Sequence, residues 1–200
     1  YVKNKGIPCY GIEPTHNTAK AARDKGIEII EDFFNATKAE QLVKQGRQAD
    51  LIVANNVLAH VPDINGFVKG FSILLKANGV STFEFPHLLN LIEKYQFDTI
   101  YHEHYSYLSF TTTGKILKSN GMTVFDVEEI KTHGGSLRVY AQRSDTGKQL
   151  VSKSVSELQK KENEIGISSL QFYEGFQKKA ENIKLEFLSF LTKTKQSDKK

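Results

Sequence analysis

The chain has 200 residues, 39% hydrophobic and 25% charged, which is enough for one domain with a buried core and too apolar for a wholly disordered chain. Its net charge is +4, but ten of its 27 Lys and Arg residues lie among Glu residues in the last 50 positions, so nucleic acid is not expected as a partner. No stretch approaches the roughly 18 apolar residues of a membrane span, so a membrane is not expected either. The one cysteine, Cys9, excludes an internal disulfide and a cysteine zinc cluster and is typical of a reducing, cytoplasmic setting.

Short apolar runs alternate with amphipathic segments over the first 85 residues. Strands are predicted at 7–12, 27–30, 50–55 and 79–85, and helices at 17–25, 37–45 and 63–76. The run 50–55 is apolar throughout its interior, as expected for a strand that is covered on both faces. This alternation with short connections predicts an α/β, doubly wound, Rossmann-like fold, with the four strands in one mostly parallel sheet.

The alternation changes after Pro86. The predicted elements that follow are a short helix at 87–95, a loop rich in polar aromatic residues at 97–110, a helix at 111–120, and an antiparallel edge pair of strands at 122–130 and 136–142. Over 147–200 apolar residues recur at helical spacing among Lys and Glu, with a weak break near Gly166. The chain therefore divides into an α/β domain at 1–146 and a helical segment at 147–200.

Acidic residues follow the first two predicted strands. Glu13 comes after the first strand, and Asp32 with Phe33 comes after the second. In nucleotide-binding α/β sheets an acidic residue at the carboxyl end of a strand accepts the ribose hydroxyls, and an aromatic side chain nearby can face the base. Two ordinary explanations stay open. Glu13 taken alone is better explained as a helix cap, and the acidic pair can equally be surface residues beside a core phenylalanine.

Amides and a histidine follow the third predicted strand. Asn55 ends this strand, and His60 lies in the segment NNVLAHVPD that comes next. Ligands of such folds bind in the crevice outside the carboxyl ends of the strands, which is where we expect both side chains. The alternative is a helix-capping turn in which the histidine is structural.

The loop 98–107 holds two histidines, two acids and three tyrosines in ten residues. In an extended segment His102 and His104 share one side, and Tyr101 and Glu103 share the other. The H-x-H spacing also fits a metal site, but no second His or Cys pair is present in the sequence to complete one, so no metal is predicted. Histidine titrates near pH 6.5, and tyrosine can donate or accept at a developing oxyanion, so the loop predicts acid–base catalysis.

The segment HGGSLR is a second candidate for substrate binding. It comprises His133, Gly134, Gly135, Ser136, Leu137 and Arg138. Its paired glycines allow close backbone approach, and its exposed amides together with Arg138 would bind an anion such as a phosphate. Paired glycines are also typical of a hairpin turn, and both interpretations can hold at once.

Four segments, YGIEP, ANNVLAHVPD, FDTIYHEHYSYLS and HGGSLRVYA, occur in this order. Together they resemble the S-adenosylmethionine-dependent C-methyltransferases that act on nucleotide-linked deoxysugars. The resemblance covers residues 7–143, and IYHEH with HGGSLRVY is its specific part. It implies a class I methyltransferase fold, S-adenosyl-L-methionine as the cofactor and a nucleotide-sugar as the substrate, and it leaves the oligomeric state open.

Members of that family usually carry an N-terminal cysteine zinc module, then a strand and a glycine-rich loop near the methionine part of the cofactor. They also continue into a second α/β domain after a helical linker. The resemblance therefore implies that this chain is the central piece of such an enzyme and that its sheet lacks the first central strand. Zinc would belong only to a module outside the chain.

The resemblance implies cofactor contacts for four residues. Glu13 would accept the ribose hydroxyls. Asp32 and Phe33 would lie near the adenine, and Asn55 would line the cofactor site.

It also implies four catalytic residues, His60, Tyr101, Glu103 and His104. His104 is the expected base that removes a proton alpha to a keto group, with Tyr101 as its alternative or partner. The resulting enolate attacks the sulfonium methyl group in line, while hydrogen-bond donors stabilise the charge on its oxygen. Glu103 would orient or polarise one of these groups, and His60 would stabilise the enolate oxygen or position the sugar.

Three alternatives follow from the same residues. An O- or N-methyltransferase on this fold needs a base beside a hydroxyl or an amine, and the double-histidine loop favours carbon methylation. An acidic residue that ends a strand also suits a NAD-binding oxidoreductase. A non-catalytic nucleotide-binding module is the third alternative.

Overall fold

The computed structural model describes residues 2–197. Its helices are α1 (His16–Asp24), α2 (Ala36–Lys44), α3 (Ile64–Leu74), α4 (Leu88–Glu93), α5 (Phe110–Ser119), α6 (Lys153–Ile165) and α7 (Phe176–Gln196). Its strands are β1 (Tyr10–Ile12), β2 (Glu28–Ile30), β3 (Ala49–Asn55), β4 (Leu75–Pro86), β5 (Met122–Ile130) and β6 (Ser136–Arg143). This order confirms the predicted α/β fold, with bounds that shift by a few residues.

The strands form two hydrogen-bonded sheets, so the prediction of four parallel strands in one sheet is wrong. β1 and β2 pair in parallel. The second sheet has the order β3-β4-β6-β5, with β3 and β4 parallel and the β4–β6 and β6–β5 pairs antiparallel. Within residues 2–197 no strand pairs with the free edge of β1 or of β3, so the backbone groups on those edges lack a ladder partner and the sheet is interrupted there.

One face of β3 is open, contrary to the expectation that both are covered. Leu51 and Val53 are 55% and 56% exposed. Ile52 and Ala54 alternate with them and pack into the core. An apolar run predicts burial, but burial also needs an element that lies against each face, and the run itself does not encode that element.

Arg47 joins the amino ends of the first three strands. Its guanidinium lies 4.3 Å from the centroid of the Tyr10 ring and pairs with the Glu28 carboxylate at 2.8 Å. Its carbonyl accepts a hydrogen bond from the Tyr10 hydroxyl at 2.8 Å. Tyr10 and Glu28 begin β1 and β2, and Arg47 comes shortly before β3. The carboxyl ends of these strands therefore open toward the opposite edge, where the candidate site residues follow them.

Side chains cap the helices that lead into the site. Asn35, Asp63 and Ser109 precede α2, α3 and α5, and each accepts a hydrogen bond from the backbone N–H three residues later. Such a cap satisfies one of the free N–H groups of the first turn and contributes about 1 kcal/mol. The cap at Ser109 explains why α5 begins at Phe110, one residue before the predicted start.

The main core lies between the four-stranded sheet, α3 and α5. Phe71 of α3 and Phe83 of β4 are fully buried, with ring centroids 4.6 Å apart. Phe110 and Leu117 of α5 lie in the same cluster, and Leu158 of α6 joins it. Helix α6 thus packs its apolar residues on the α/β domain, as its predicted amphipathic character requires.

The described part of the C-terminal segment is helical, as predicted. Helix α6 ends at Ile165, and the next residue is Gly166, the predicted break. Its φ of 77° is left-handed, a conformation that favours glycine. No residue of α7 is buried. The predicted helical segment also includes residues 198–200, which lie outside the described residues, as does residue 1. Over 2–197, no helix combines the length and the apolar character that crossing a membrane requires.

Candidate active site

Two loops meet at the carboxyl end of β3. The first is the 3-10 turn Leu58–His60 that follows this strand. The second is the 98–107 loop, whose Tyr105 and Ser106 N–H groups both donate to the carbonyl of Ala59, at 2.9 and 3.2 Å. These bonds hold the histidine-rich loop against the turn that carries His60.

The two predicted catalytic histidines lie side by side. The ring centroids of His60 and His104 are 4.8 Å apart at an interplanar angle of 65°. The Tyr101 ring also lies against His104, with centroids 4.2 Å apart and a 33° angle, and Tyr107 meets His104 edge to face at 5.6 Å. Three rings, those of His60, Tyr101 and Tyr107, therefore surround the half-buried imidazole of His104.

Backbone carbonyls set the tautomers of both histidines. The Nδ1 of His104 lies 3.0 Å from the carbonyl of Thr99, and the Nδ1 of His60 lies 3.2 Å from the carbonyl of Glu103. A carbonyl oxygen only accepts, so each Nδ1 carries the proton and donates it. In the neutral rings the Nε2 atoms are the ones that can accept a proton.

The surroundings of His104 favour its neutral form. Burial lowers the pKa of His104, and the charge of His60 lowers it further, against the raising effects of the Thr99 carbonyl and the Glu103 carboxylate. A neutral imidazole with a free Nε2 can act as a general base near pH 7.

Tyr101 and Glu103 take different positions in the loop. Tyr101 is 43% exposed, and its backbone N–H donates to the Tyr107 hydroxyl at 3.2 Å. Glu103 is exposed, and its described contact with His60 uses the backbone carbonyl. The neighbouring His102 is exposed as well. Glu103 therefore orients His60 through its backbone, and its carboxylate acts on His104 through space.

The predicted ribose ligand lies directly after β1. Glu13 is half-buried, and its Oε1 accepts the N–H of Thr15 at 2.8 Å. This bond is the capping contact that the sequence left open as an alternative. A carboxylate has about four acceptor positions, so the cap leaves capacity for ribose hydroxyls.

The predicted adenine contacts follow β2. The Asp32 carboxylate forms an ion pair with Lys38 and accepts the N–H of Phe33. These two contacts, the Lys38 bond foremost, lower the pKa of Asp32. The ring of Phe33 is 72% exposed, so it is not the core phenylalanine that the alternative assumed.

Asn56 is a further candidate beside the predicted Asn55. Its φ of 54° is left-handed, and its N–H donates to the carbonyl of Glu84 at 2.7 Å. Its side-chain Oδ1 is buried and has no hydrogen-bond partner among the described residues. Asn55 itself is exposed at the end of β3. The signal in the sequence was the paired amide, because Asn tolerates the left-handed conformation.

These groups fit an adenosine-type cofactor. Glu13 offers a carboxylate to hydroxyl donors, Phe33 offers an exposed ring, and the Asn56 amide oxygen needs a donor. All three follow strands whose amino ends meet at Arg47. Among residues 2–197, no group of three or more His, Cys, Asp and Glu residues is placed to hold a metal ion.

The HGGSLR segment forms a turn that is bonded to residues preceding the histidine loop. The carbonyl of Gly134 accepts bonds from the side chains of Lys94 and Gln96, both at 2.9 Å, just before the loop. The carbonyl of Gly135 accepts the N–H of His87 at 3.1 Å. This arrangement supports the hairpin interpretation and attaches the turn to residues that precede the histidine loop.

Ser136 and Arg138, the remaining polar members of this segment besides His133, have partners within the chain. His133 is exposed, with a left-handed φ of 51°, and the buried Ser136 hydroxyl donates to the carbonyl of Thr132. Arg138 pairs with Glu84 at 2.9 Å and approaches Glu128 at 3.6 Å. A substrate phosphate at Arg138 would therefore share the guanidinium with two carboxylates.

The chain matches two family models that together cover nearly all of it. The model described as "Methyltransferase domain" matches residues 1–127, and the one described as "C-methyltransferase C-terminal domain" matches residues 131–200. C-methyltransferase NovU of Streptomyces niveus is 34% identical over 184 residues, which are 92% of this chain and 44% of that protein. The chain thus spans less than half the length of this relative.

Solved structures share the fold at low sequence identity. Magnesium protoporphyrin IX methyltransferase of Synechocystis PCC 6803, with bound S-adenosylhomocysteine, is 17% identical with a TM-score of 0.52, over 70% of this chain and 66% of that one. The 1,6-didemethyltoxoflavin-N1-methyltransferase of Burkholderia thailandensis is 14% identical with a TM-score of 0.51, over 72% and 65%.

The fold is therefore that of the class I methyltransferases. Within that class, the chain belongs to the methyltransferase-domain family through residues 1–127, and its residues 131–200 match the C-terminal domain of C-methyltransferases.

Proposed function

We propose that this chain is the catalytic part of a C-methyltransferase that uses S-adenosyl-L-methionine to methylate a nucleotide-linked keto-deoxysugar. The methyltransferase families and the NovU relative support carbon methylation. The sugar-nucleotide substrate rests on the IYHEH and HGGSLRVY motifs and on the chemistry that the histidine loop can perform.

One observation carries the proposal. His104 is half-buried, its Nδ1 proton is held by the Thr99 carbonyl, and its Nε2 is the basic nitrogen of a ring whose pKa is lowered. Removal of a proton alpha to a ketone needs a neutral base that is fixed in position, and this imidazole has both properties.

His60 and Tyr101 stabilise the enolate oxygen in this proposal. The Nδ1 of His60 already donates to the Glu103 carbonyl, so His60 contacts the enolate oxygen through Nε2, which donates when the ring carries a second proton. A positive charge on His60 also lowers the pKa of His104. The Tyr101 phenol, stacked on His104, supplies the second donor or replaces His104 as base.

The cofactor, when bound, supplies an electrophilic methyl group on a sulfonium. Glu13 accepts its ribose hydroxyls, Phe33 packs near its adenine with Asp32, and Asn55 lines its site. The nucleotide part of the substrate contacts the glycine turn. This turn comprises His133 and Gly134 and is followed by Gly135, Ser136 and Arg138.

The whole protein tests the proposal directly. It is incubated with labelled S-adenosylmethionine and a panel of nucleoside-diphosphate keto-deoxysugars, and NMR locates the transferred methyl. We expect a methyl on the carbon next to the keto group, with turnover about 10² to 10⁴-fold lower in His104→Asn and near normal in the exposed neighbour variant His102→Asn. A methyl on oxygen or nitrogen, or binding of NAD in place of S-adenosylmethionine, contradicts the proposal.

A further inference from the structure

A buried hydrogen bond between a histidine and a carboxylate joins helix α6 to the α/β domain. The Oε1 of Glu162 lies 2.7 Å from the Nε2 of His87, and both side chains are fully buried. A buried carboxylate is costly unless its oxygens accept several hydrogen bonds, so such a group is kept where its contacts fix a geometry.

Glu162 also binds the start of α5. Its Oε1 accepts the N–H of Phe110, and its Oε2 accepts the N–H of Thr111, both at 2.7 Å. These N–H groups belong to the first turn of the helix, where a negative charge is stabilised. The Ser109 hydroxyl accepts the N–H of the next residue, Thr112. The side chains of Glu162 and Ser109 therefore satisfy the N–H groups of this first turn together.

His87 extends the contact to the histidine loop. It lies opposite Leu108 in a parallel bridge, and the N–H of the next residue, Leu88, donates to the Leu108 carbonyl at 3.0 Å. The N–H of His87 itself donates to the carbonyl of Gly135. The amide of Asn90 lies 3.5 Å from the Nδ1 of His87, while the Nε2 of the same ring donates to Glu162.

These contacts fix the C-terminal end of the loop that carries His104. Leu108 is four residues after His104, and Phe110 follows two residues later. One carboxylate thus connects α6, the start of α5 and, through His87, both the loop end and the glycine turn.

We infer that Glu162 is a positioning residue for the catalytic loop, and that helix α6 is required for the geometry of His104. This inference rests on the proposed function for its effect on turnover. Its effect on the loop can be measured without any substrate.

Glutamine at position 162 is the sharpest probe, because it keeps the shape and removes the charge. If its oxygen faces His87 and Phe110, its NH₂ group points at the N–H of Thr111, and two donors oppose each other. In the reverse orientation, the NH₂ group points at His87 and at the N–H of Phe110, and these donors oppose each other instead. At least one buried N–H loses its acceptor in either case.

Lys161→Met is the matched control on the same helix. Lys161 pairs with Glu129 of β5 at 3.0 Å, at the surface and one residue away from Glu162. Its loss weakens the attachment of α6 without touching the loop. The reporters are the Tyr105 and Ser106 amides, which are bonded to Ala59, and their hydrogen exchange is compared with that of amides in α3.

We expect Glu162→Gln to speed exchange of the two loop amides about tenfold or more while α3 is unchanged, and Lys161→Met to leave both near wild type. In the whole enzyme, Glu162→Gln is expected to lower kcat about 10 to 100-fold at nearly constant KM for S-adenosylmethionine, because misplacing a base by about 1 Å has this effect.

If Glu162→Gln does not fold, His87→Leu and His87→Gln replace it. His87→Gln keeps a donor near the Nε2 position and should retain loop protection that His87→Leu loses.

Loop exchange and kcat at wild-type values in Glu162→Gln overturn the inference, as does an equal effect of Lys161→Met. A wild-type enzyme that does not methylate carbon overturns the proposed function alone, since the exchange experiment still decides the role of Glu162.

Discussion

The imidazole rings of His60 and His104 meet with their centroids 4.8 Å apart, although they belong to different loops. Each ring donates its Nδ1 proton to a backbone carbonyl, so the basic Nε2 atoms are defined by the fold. Two titratable groups at this distance influence each other's protonation, and they suit the roles of base and oxyanion stabiliser.

Removing His60 tests this coupling. Protonated His60 disfavours a second positive charge on His104, so His60→Asn is expected to raise the pKa of His104 above its wild-type value. Ring NMR of the histidines as a function of pH measures the change. His16→Gln, which removes an exposed histidine paired with Glu31, should leave the His104 titration unaltered. A His104 pKa that stays the same or falls in His60→Asn would refute the coupling.

The assignment of Glu13 to the cofactor predicts a binding defect. A carboxylate that accepts ribose hydroxyls contributes roughly 1.5–3 kcal/mol, so Glu13→Gln should weaken S-adenosylmethionine binding at least about tenfold in calorimetry on the whole protein. Glu31→Gln is the control, because Glu31 is exposed and pairs with His16 and Arg23. Equal affinities in wild type and Glu13→Gln would leave Glu13 with only its capping bond to Thr15.

Glu162 predicts how stability depends on pH. Burial raises the pKa of Glu162, but hydrogen bonds from His87, Thr111 and Phe110 outweigh it and hold the pKa below the ordinary value of 4.5. A lowered folded-state pKa gives stability that is present above the unfolded-state pKa and is lost as the pH falls through the folded-state value. Chemical denaturation should therefore show Glu162→Gln less stable than wild type by roughly 1–3 kcal/mol at pH 7. This difference should shrink below pH 4.5, and a constant difference down to pH 3 would contradict the assignment.

Two glycines allow a matched comparison of the turn and the helix. Gly135 has a φ of 124°, and a Cβ there would lie 2.7 Å from the amide of Asn90. Gly135→Ala should therefore lower the free energy of unfolding by about 1–3 kcal/mol. Gly114 lies in α5, and a Cβ there meets no atom within 4 Å. Gly114→Ala should raise the free energy of unfolding by about 0.5–1 kcal/mol, and a similar loss in both variants would contradict the tight approach at the turn.

Local patterns predicted the edge hairpin well. Strands predicted at 122–130 and 136–142 appear as Met122–Ile130 and Ser136–Arg143, because alternating apolar residues bounded by glycines determine such a pair locally. The density of His and Tyr residues in the 98–107 loop likewise singled out the residues that the fold brings against His60.

Local sequence patterns do not predict which distant segments of the chain contact each other. Which strand lies beside β1 depends on hydrogen bonds between distant segments, so the strand–helix alternation alone predicts one continuous sheet. The family resemblance, in contrast, implies a sheet that lacks its first central strand, and the interruption lies between β1 and β3. Glu162 is one of several acids in the Lys- and Glu-rich α6, and nothing local distinguishes a buried carboxylate from its solvated neighbours. His87 looked like the start of a short helix, and its role depends on Leu108 and Glu162, which are distant in the chain.

Exchange of the sugar's alpha proton tests the central claim most directly. Without the methyl donor, the whole enzyme is incubated in deuterium oxide with a nucleoside-diphosphate keto-deoxysugar, and NMR follows the proton next to the ketone. The account predicts that wild type and His102→Asn wash deuterium into this position, while His104→Asn does so about 10² to 10⁴-fold more slowly. Equal exchange in wild type and His104→Asn would contradict the account and leave Tyr101 as the candidate base.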